Sequence, residues 1–175
     1  MADMKSEILA HHAFAFSHLS PGEGSNEQPY IRFLMFIKKR ADISDQRFHE
    51  WWKTVHADLA VSVAGFGGHC KRYVQLHQTP EHRAELEKYS MKPLPYDGIG
   101  EMYVKSLDDW VKFQSSPAFS KKLIHDGANF MDGTLKVMMG YDNLIFGNKI
   151  EHSDGNDGIL TDDQRLTPAL KDSKL

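Results

Sequence analysis

Cysteine is almost absent from this chain, which has a single one, Cys70, among 175 residues. One cysteine excludes an intramolecular disulfide, a CxxC redox pair and a cysteine-rich zinc site. The chain also lacks an excess of either charge, because 21 basic and 24 acidic side chains leave a formal net charge of -3. Proteins that bind nucleic acid through its phosphates carry a basic surface, so we expect no nucleic-acid partner.

Long apolar runs are missing as well. No segment reaches the roughly 18–20 consecutive apolar residues that a membrane span needs. The first 19 residues lack the basic start and unbroken apolar stretch of a signal peptide, because His11, His12 and His18 interrupt them. These features predict a cytoplasmic protein with no membrane partner.

Motifs that bind metals or nucleotides are also absent. The sequence has no dinucleotide-binding or P-loop glycine motif and no serine-hydrolase elbow. His49 and Glu50 begin like the zinc-binding H-E-x-x-H helix, but Lys53 stands where the second histidine is needed. We therefore expect neither a metal site nor an organic cofactor.

What the chain does have is an ordinary globular composition with an excess of histidine. Hydrophobic residues make up 41% and charged residues 26%, and there are ten histidines. Histidine titrates near neutrality, so this excess favours acid–base chemistry. We divide the chain into an N-terminal extension (1–29), one folded domain (30–147) and a polar tail (148–175), which we expect to be flexible, loosely docked or wrapped on a partner subunit.

The central region predicts an α+β fold. Strands are predicted where β-branched and aromatic residues cluster or alternate, and helices where apolar residues recur at helical spacing. The predicted strands are 30–38, 69–78, 99–105 and 135–146, and the predicted helices begin at Ser44, Pro80, Ser106 and Pro117. Gly140 is interpreted as a bulge or a point of close approach. This order is that of a ferredoxin-like split βαβ protomer with a four-stranded antiparallel sheet.

The first strand predicts a homodimer. Apolar side chains occupy both faces of this strand, whereas a strand that is wet on one side alternates. They are those of Ile31, Phe33, Leu34, Met35, Phe36 and Ile37. Helices cover only one face of such a sheet. A second copy of the same sheet is the simplest cover for the other face.

The helix that begins at Ser44 carries the most informative group of side chains. Trp52 and His56 are four residues apart and share a face, and His49 lies on that side one turn earlier. Burial beside this aromatic stripe would favour a neutral imidazole that can accept a proton. The alternative is that His56 is a hydrogen-bonded histidine at the helix edge with no catalytic role.

Several segments together resemble the EthD family. Residues 33–40, followed by Ser44, Phe48, Trp52 and His56, are similar to the opening of that family, in which a strand with a basic end leads into a Phe…Trp…His helix. The later segments are Tyr96-Asp97-Gly98-Ile99-Gly100-Glu101-Met102, Ser116-Pro117-Ala118-Phe119 and Asp126-Gly127-Ala128-Asn129-Phe130. Their order and spacing make the resemblance fairly specific over residues 30–146.

The resemblance implies a dimeric α+β barrel, in which two ferredoxin-like protomers place their sheets face to face. Related fungal EthD-like proteins are cofactor-free decarboxylases or dehydratases of aromatic polyketide pathways. We therefore expect a cofactor-independent lyase of secondary metabolism that decarboxylates a β-keto acid or dehydrates a β-hydroxy ketone of polyketide origin. The alternatives are a cofactor-free anthrone-type monooxygenase, a polyketide cyclase and a non-catalytic protein that binds aromatic ligands.

The expected catalytic residues are His56, His77, Tyr73 and Asp97. His56 is the leading acid–base residue because it fits both the helix geometry and the family pattern. Tyr73 and His77 share one face of the second strand with Lys71, while Cys70, Val74 and Leu76 occupy the other face.

The expected substrate-binding residues are Phe48, His49, Trp52, Lys71, Trp110 and His125. The aromatic side chains would form apolar walls, and Lys71 could pair with a substrate carboxylate. Plainer interpretations exist for several of these positions. Tyr73 and His77 could face solvent or an interface, Lys71 could be a solvated charge, Asp97 a turn residue and His125 a complement to a helix dipole.

Overall fold

The computed structural model describes residues 12–20, 26–133 and 135–166. The chain divides into two compact units, Met1–Gln28 with Asp142–Leu175, and Pro29–Tyr141. The predictions for residues 1–11, 21–25 and 167–175, which include His11, lie outside the described residues. Along the described part of the chain, no helix is long and apolar enough to cross a membrane.

A four-stranded antiparallel sheet has the strand order β2-β3-β1-β4. The strands are β1 (Glu27–Ile37), β2 (Cys70–His77), β3 (Gly98–Val104) and β4 (Lys136–Asn143). β3 pairs antiparallel with both β1 and β2, so that Gly100 lies opposite Met35 and Gln75. With helices after β1 and β3, the arrangement is the ferredoxin-like split βαβ fold. The predicted α+β class is therefore confirmed.

The helices connect these strands. Between β1 and β2 lie α1 (Asp45–Trp51), a π-helical turn (Trp52–His56), α2 (Ala57–Val61) and α3 (Phe66–His69). The later helices are α4 (Pro80–Lys88), α5 (Leu107–Gln114) and α6 (Pro117–Leu123). The hydroxyls of Ser44, Ser106 and Ser116 accept hydrogen bonds from backbone N–H groups in the first turns of α1, α5 and α6. Such caps satisfy donors that have no partner within the helix, which is why the sequence places these helix starts well.

Two apolar clusters pack the helices against the sheet. The first cluster is Val63, Cys70, Met102, Val104, Trp110 and Phe113, and the second is Ile37, Phe48, Trp52 and Phe130. Trp52, Trp110 and Phe48 are fully buried. Burial of a large apolar side chain is worth about 2–3 kcal/mol, so these three rings contribute strongly to the stability of the fold.

The predicted faces of β2 need one correction. Cys70 is buried in the first cluster together with Tyr73, whereas Val74 and Leu76 are exposed. The register of β2 on β3 shifts between Cys70 and Arg72. This β-bulge adds a residue to the strand, so Cys70 lies on the same side as Tyr73 rather than with Val74.

The close approach that was predicted for Gly140 occurs instead at Gly98 and Gly100 of β3. A Cβ at Gly98 would lie 2.2 Å from Cζ3 of Trp52, and one at Gly100 would lie 3.2 Å from Cε of Met35. A Cβ at Gly140 would meet nothing within 4 Å. The missing side chain at Gly98 therefore lets the indole of Trp52 lie directly against the sheet.

The smaller unit has its own hydrogen-bonded structure. The Asn26 amide nitrogen donates to the carbonyl oxygens of Leu144 and Asp157, and Phe146 pairs with Ile159 in a parallel bridge. Ile150 and Ile159 are buried. The described part of the polar tail, up to residue 166, therefore makes hydrogen bonds and apolar contacts within this unit, and its expected flexible, loosely docked or partner-bound character stays a prediction.

Candidate functional site

A cavity of about 240 Å³ lies between the helices and the sheet within the larger unit. Its lining is mainly apolar, with Met102, Phe119, Phe130 and Met131 among the contributors. The polar groups in its described lining come from His56, Tyr73, Gln114, Trp52 and Trp110. Four of the residues that the sequence marked as site residues, His56, Tyr73, Trp52 and Trp110, thus line one cavity.

His56 is held in this lining by a buried carboxylate. His56 Nδ1 lies 2.6 Å from Oδ2 of Asp126, whose side chain is only 3% exposed. The indole N–H of Trp51 donates to the other carboxylate oxygen, Oδ1, at 3.0 Å. Because a carboxylate accepts hydrogen bonds, the His56 ring carries its proton on Nδ1, and Nε2 is the ring nitrogen with a lone pair.

The π-helical turn explains how two side chains of one helix reach the same carboxylate. Trp51 and His56 are five residues apart, and in an α-helix residues five apart differ by about 140° around the axis. The turn from Trp52 to His56 is wider, and a π turn brings residues five apart close to one side. Trp51 and His56 can therefore both bond to Asp126.

Tyr73 enters the cavity lining from β2. Its hydroxyl accepts a hydrogen bond of 2.8 Å from Nε2 of Gln75, which also donates to the backbone carbonyl of Trp52 at 2.9 Å. Burial raises the pKa of Tyr73 above its ordinary value, although the nearby Gln75 and Trp52 side chains act in the opposite direction. Tyr73 is therefore a neutral phenol at physiological pH.

His49 and His77 form a separate pair outside the described lining of this cavity. Their Nδ1 atoms are 2.8 Å apart, and the His77 ring lies 4.5 Å from the Trp52 ring between centroids. Burial lowers the pKa of His49, while burial, His49 and Lys53 lower the pKa of His77 to about 4. Both shifts favour the neutral form of the imidazole, and in such a pair one Nδ1 donates while the other accepts.

The remaining predicted residues lie apart from the cavity. Asp97 accepts hydrogen bonds from the Lys39 backbone N–H and from Nη2 of Arg83, each at 2.9 Å, so its contacts hold the chain near the end of β1. Lys71 and His125 are exposed, and Phe48 is fully buried in the second cluster. None of these four contributes to the described lining, and their roles at the site stay predictions.

The sequence analysis did not identify Asp126, Trp51 or Gln75 as site residues. Asp126 belongs to a segment that carries the family resemblance, and an acidic residue followed by glycine in a short turn gives no sign of burial. The importance of Asp126 is visible only in the folded structure, where its carboxylate contacts His56, which lies 70 residues earlier in the sequence. Trp51 and Gln75 make side-chain hydrogen bonds to other elements, and the hydrophobic periodicity of a sequence does not predict such bonds.

Larger cavities occur elsewhere in the described structure. One of about 390 Å³ lies beside α4 and contains His77 and Tyr96, and one of about 550 Å³ lies in the smaller unit. Neither includes His56 or Tyr73. Among the described residues, no group of three or more histidine, cysteine, aspartate or glutamate side chains is placed to hold a metal ion.

Comparisons with known proteins agree with the resemblance in the sequence. The model of the EthD domain matches residues 40–134, more than half of the chain. No curated protein sequence matches the chain. Solved structures that resemble it include an EthD family protein from Bacillus halodurans C-125, with 15% identity, a TM-score of 0.45, and coverage of 65% of this chain and 98% of that one.

Two further solved structures have similar identities and TM-scores. One is a dimeric protein of unknown function and ferredoxin-like fold from Bacteroides fragilis, with 9% identity, a TM-score of 0.48, and coverage of 66% of this chain and 99% of that one. The other is the hydroxynitrile lyase from Passiflora edulis, with 12% identity, a TM-score of 0.46, and coverage of 66% and 95%. At such low identity, residue roles do not transfer position by position.

Proposed function

Because the chain belongs to the EthD domain family, we propose that it is a cofactor-independent lyase acting on an aromatic polyketide ketone in secondary metabolism. The observation that carries this proposal is the His56–Asp126 pair on an apolar cavity. The carboxylate binds Nδ1 and holds the ring, so Nε2 is the nitrogen available to a molecule in the cavity. A buried carboxylate also stabilises the imidazolium that forms when Nε2 takes a proton.

Dehydration of a β-hydroxy ketone uses His56 first as a base. Nε2 takes the proton from the carbon between the ketone and the hydroxyl-bearing carbon, and the electron pair moves to the ketone oxygen to form an enolate. The enolate then collapses, the carbon–oxygen bond breaks, and the imidazolium returns its proton to the departing hydroxyl, which leaves as water. Proton uptake and release at one nitrogen balance over the cycle.

Decarboxylation of a β-keto acid also passes through an enolate and also uses a proton transfer at Nε2 of His56, but the bond to carbon dioxide breaks before the proton is transferred. The carbon–carbon bond breaks, carbon dioxide leaves, and the electron pair again forms an enolate. The protonated His56 ring then gives the Nε2 proton to carbon, and the ring regains a proton from solvent. An apolar lining favours this step because it solvates the carboxylate poorly.

The lining bears on which of the two reactions the site suits. Among the described lining residues none is a lysine or an arginine, so the group there that can carry a positive charge is the His56 ring. The exposed Lys71, which was expected to pair with a carboxylate, lies outside this described lining. A neutral hydroxy ketone is thus the better match to the lining, and dehydration is the first reaction to test.

The experiment is anaerobic incubation of the purified protein with aromatic β-hydroxy ketones, β-keto acids and anthrones, followed by mass spectrometry. Loss of the mass of water or of carbon dioxide is expected, and His56→Gln should abolish it. His69→Gln is the matched control, because His69 also binds a carboxylate through Nδ1 but lies outside the described cavity lining. Product that forms only after oxygen is admitted would replace the proposal by a monooxygenase, and binding without conversion would replace it by a ligand-binding protein.

The proposed active form is a homodimer that joins the uncovered faces of two sheets. Leu76 and Val74 of β2 are 51% and 40% exposed. Along β4, the side chains of Val137, Met139 and Tyr141 are also at least half exposed. Exposed apolar side chains on both edge strands of the sheet favour association with a second copy.

Sedimentation velocity tests the dimer. Leu76→Lys places a charge on the uncovered face, and we expect it to convert a dimeric species to a monomer at the same protein concentration. Val111→Lys is the control, because Val111 is similarly exposed, at 48%, but lies on α5. A wild-type protein that sediments as a monomer would refute the dimer.

A further inference from the structure

A chain of hydrogen bonds leads from the His49–His77 pair to the hydroxyl of Tyr73. Its central member is Gln75, whose Nε2 lies 2.9 Å from the carbonyl oxygen of Trp52 and 2.8 Å from Oη of Tyr73. A carbonyl oxygen only accepts hydrogen bonds, so the amide atom that faces it is the nitrogen. Gln75 therefore donates to Tyr73, and the direction of this hydrogen bond is fixed.

The other end of the Gln75 amide fixes the protons on both histidines. Its Oε1 lies 3.3 Å from Nε2 of His77, which must carry a proton in order to donate. A neutral His77 then has a lone pair on Nδ1, and His49 donates to it from its own Nδ1 across 2.8 Å. Every member of the chain thus donates toward Tyr73, and the lowered pKa values of both histidines agree with two neutral rings.

The consequence for Tyr73 is that its hydroxyl proton does not point toward Gln75. The hydroxyl oxygen receives the Gln75 N–H, so the remaining O–H is available as a donor, and no acceptor for it is found among the described residues. Tyr73 lines the cavity that contains His56. A buried hydroxyl normally donates, so a bound molecule is the natural acceptor.

A second observation also indicates an oxygen-bearing ligand. The indole nitrogen of Trp110 is buried and makes no hydrogen bond within the described structure, and Trp110 lines the same cavity. Buried N–H groups without an acceptor are costly, at about 1–3 kcal/mol each. Donors without partners in an otherwise apolar cavity are matched by a ligand that carries carbonyl or enolate oxygens.

We propose that the hydroxyl of Tyr73, held as a donor by Gln75 and His77, binds the ketone oxygen of the substrate and stabilises the enolate that forms on it. In this arrangement Tyr73 is a catalytic residue, and Gln75 and His77 are positioning residues. The inference rests on the proposed function, because an enolate arises in both eliminations. The hydrogen bond strengthens as charge develops on oxygen, and the phenol keeps its proton throughout.

The test uses 2-naphthol, a bicyclic phenol whose anion resembles an aromatic enolate and whose ionisation is followed by ultraviolet absorption. The wild-type protein should bind the naphtholate more tightly than the neutral naphthol and so lower the apparent pKa of the bound ligand. Tyr73→Phe should weaken naphtholate binding roughly 10- to 100-fold and change neutral naphthol binding less than threefold. Tyr96→Phe is the matched control, since Tyr96 lies outside the described lining of this cavity.

The direction of the chain is tested at Gln75. Gln75→Leu removes the donor to Tyr73 and should weaken naphtholate binding roughly 3- to 10-fold. Gln75→Glu replaces the donor by an acceptor for the Tyr73 proton, so it should cost as much as Tyr73→Phe. Circular dichroism and neutral naphthol binding establish that each variant is folded, and if Gln75→Glu does not fold, Gln75→Leu serves alone.

The outcomes separate this inference from the lyase proposal. Naphtholate stabilisation that depends on Tyr73, in a protein without lyase activity, supports the donor and refutes the lyase. Lyase activity with a wild-type kcat in Tyr73→Phe refutes the donor and keeps the lyase. Failure of the wild-type protein to bind 2-naphthol, or equal naphtholate binding by the wild type and Tyr73→Phe, also overturns the inference.

Discussion

The molecule holds two pairs of a histidine and an aspartate that share the same hydrogen bond and differ in their surroundings. His56 and Asp126 meet at 2.6 Å with side chains 20% and 3% exposed, whereas His69 and Asp109 meet at 2.8 Å with both side chains 34% exposed. Asp126 has a second donor, the Trp51 indole, while the His69 ring stacks on Phe113 at 4.7 Å. The comparison teaches that burial and a cavity, rather than the pair itself, distinguish a candidate catalytic group from a surface contact.

The largest expected difference between the two pairs is in turnover. In Asp126→Asn the amide oxygen can still accept from the Trp51 N–H, while the amide N–H₂ faces Nδ1 of His56, so the ring presents N–H instead of a lone pair to the cavity. We expect kcat to fall roughly 10²- to 10⁴-fold. Asp109→Asn should change kcat less than twofold. Equal effects of the two substitutions, measured on the same substrate, would remove the distinction between the pairs.

A smaller difference is expected in stability. Asp126→Ala leaves the partly buried Trp51 N–H without its acceptor and should lower the free energy of unfolding by about 2–3 kcal/mol. Asp109→Ala breaks a half-exposed pair and should cost less than about 1 kcal/mol. Urea denaturation of both variants gives the two values. The contrast between the two pairs would be wrong if Asp109→Ala lowered the free energy of unfolding more than Asp126→Ala does.

The smallest effect concerns the His49–His77 pair, in which a second imidazole stands where the other pairs have a carboxylate. The pKa of His77 is lowered from 6.5 to about 4 in the folded chain, so between these pH values the unfolded chain binds more protons. Stability is therefore complete above pH 6.5 and declines as the pH falls toward 4. After allowance for partial exposure, the decline due to His77 is on the order of 1–2 kcal/mol.

Two variants isolate this decline. His77→Gln should show a flatter pH dependence of the unfolding free energy between pH 6.5 and 4 than the wild-type protein. Lys53, Asp45, Asp97 and Glu81 also act on the pair, and they stay in place in both proteins. His125→Gln is the control, because His125 is exposed. An identical slope in His77→Gln and the wild type would show that His77 is not the titrating group.

The fold was largely predictable because its signals are local. The four strands lie where β-branched and aromatic residues cluster, and three serine caps place helix starts within a residue. The bulge after Cys70 was not predictable, because an extra residue in a strand leaves no mark on the alternation around it. Gly98 and Gly140 looked alike in sequence, and only the position of Trp52 distinguishes them.

The candidate site was predictable in part. His56, Tyr73 and Trp52 were selected from spacing on single elements, and the fold places them around one cavity. Asp126 and Gln75 could not be selected in this way, because their importance depends on hydrogen bonds between elements distant in sequence. Asp97 and Lys71 were selected on simple chemical expectations; both lie outside the described cavity lining, and their roles at the site stay predictions.

The contact between His56 and Asp126 depends on the π-helical turn, because this turn sets the direction in which His56 leaves its helix. The half that begins at Asp45 directs Phe48 and Trp52 to the sheet, and the half that ends at Val61 packs near α6. The wide turn accommodates one residue more than an α-helix would, and each residue of an α-helix is worth about 100° of rotation. If the same residues formed an even α-helix, His56 would be rotated by roughly 90° relative to Trp51 and would turn away from Asp126. Deleting Thr54 would remove the extra residue, leave Trp51 and His56 four residues apart on one side of an even α-helix, and so keep both side chains toward Asp126 without the π turn.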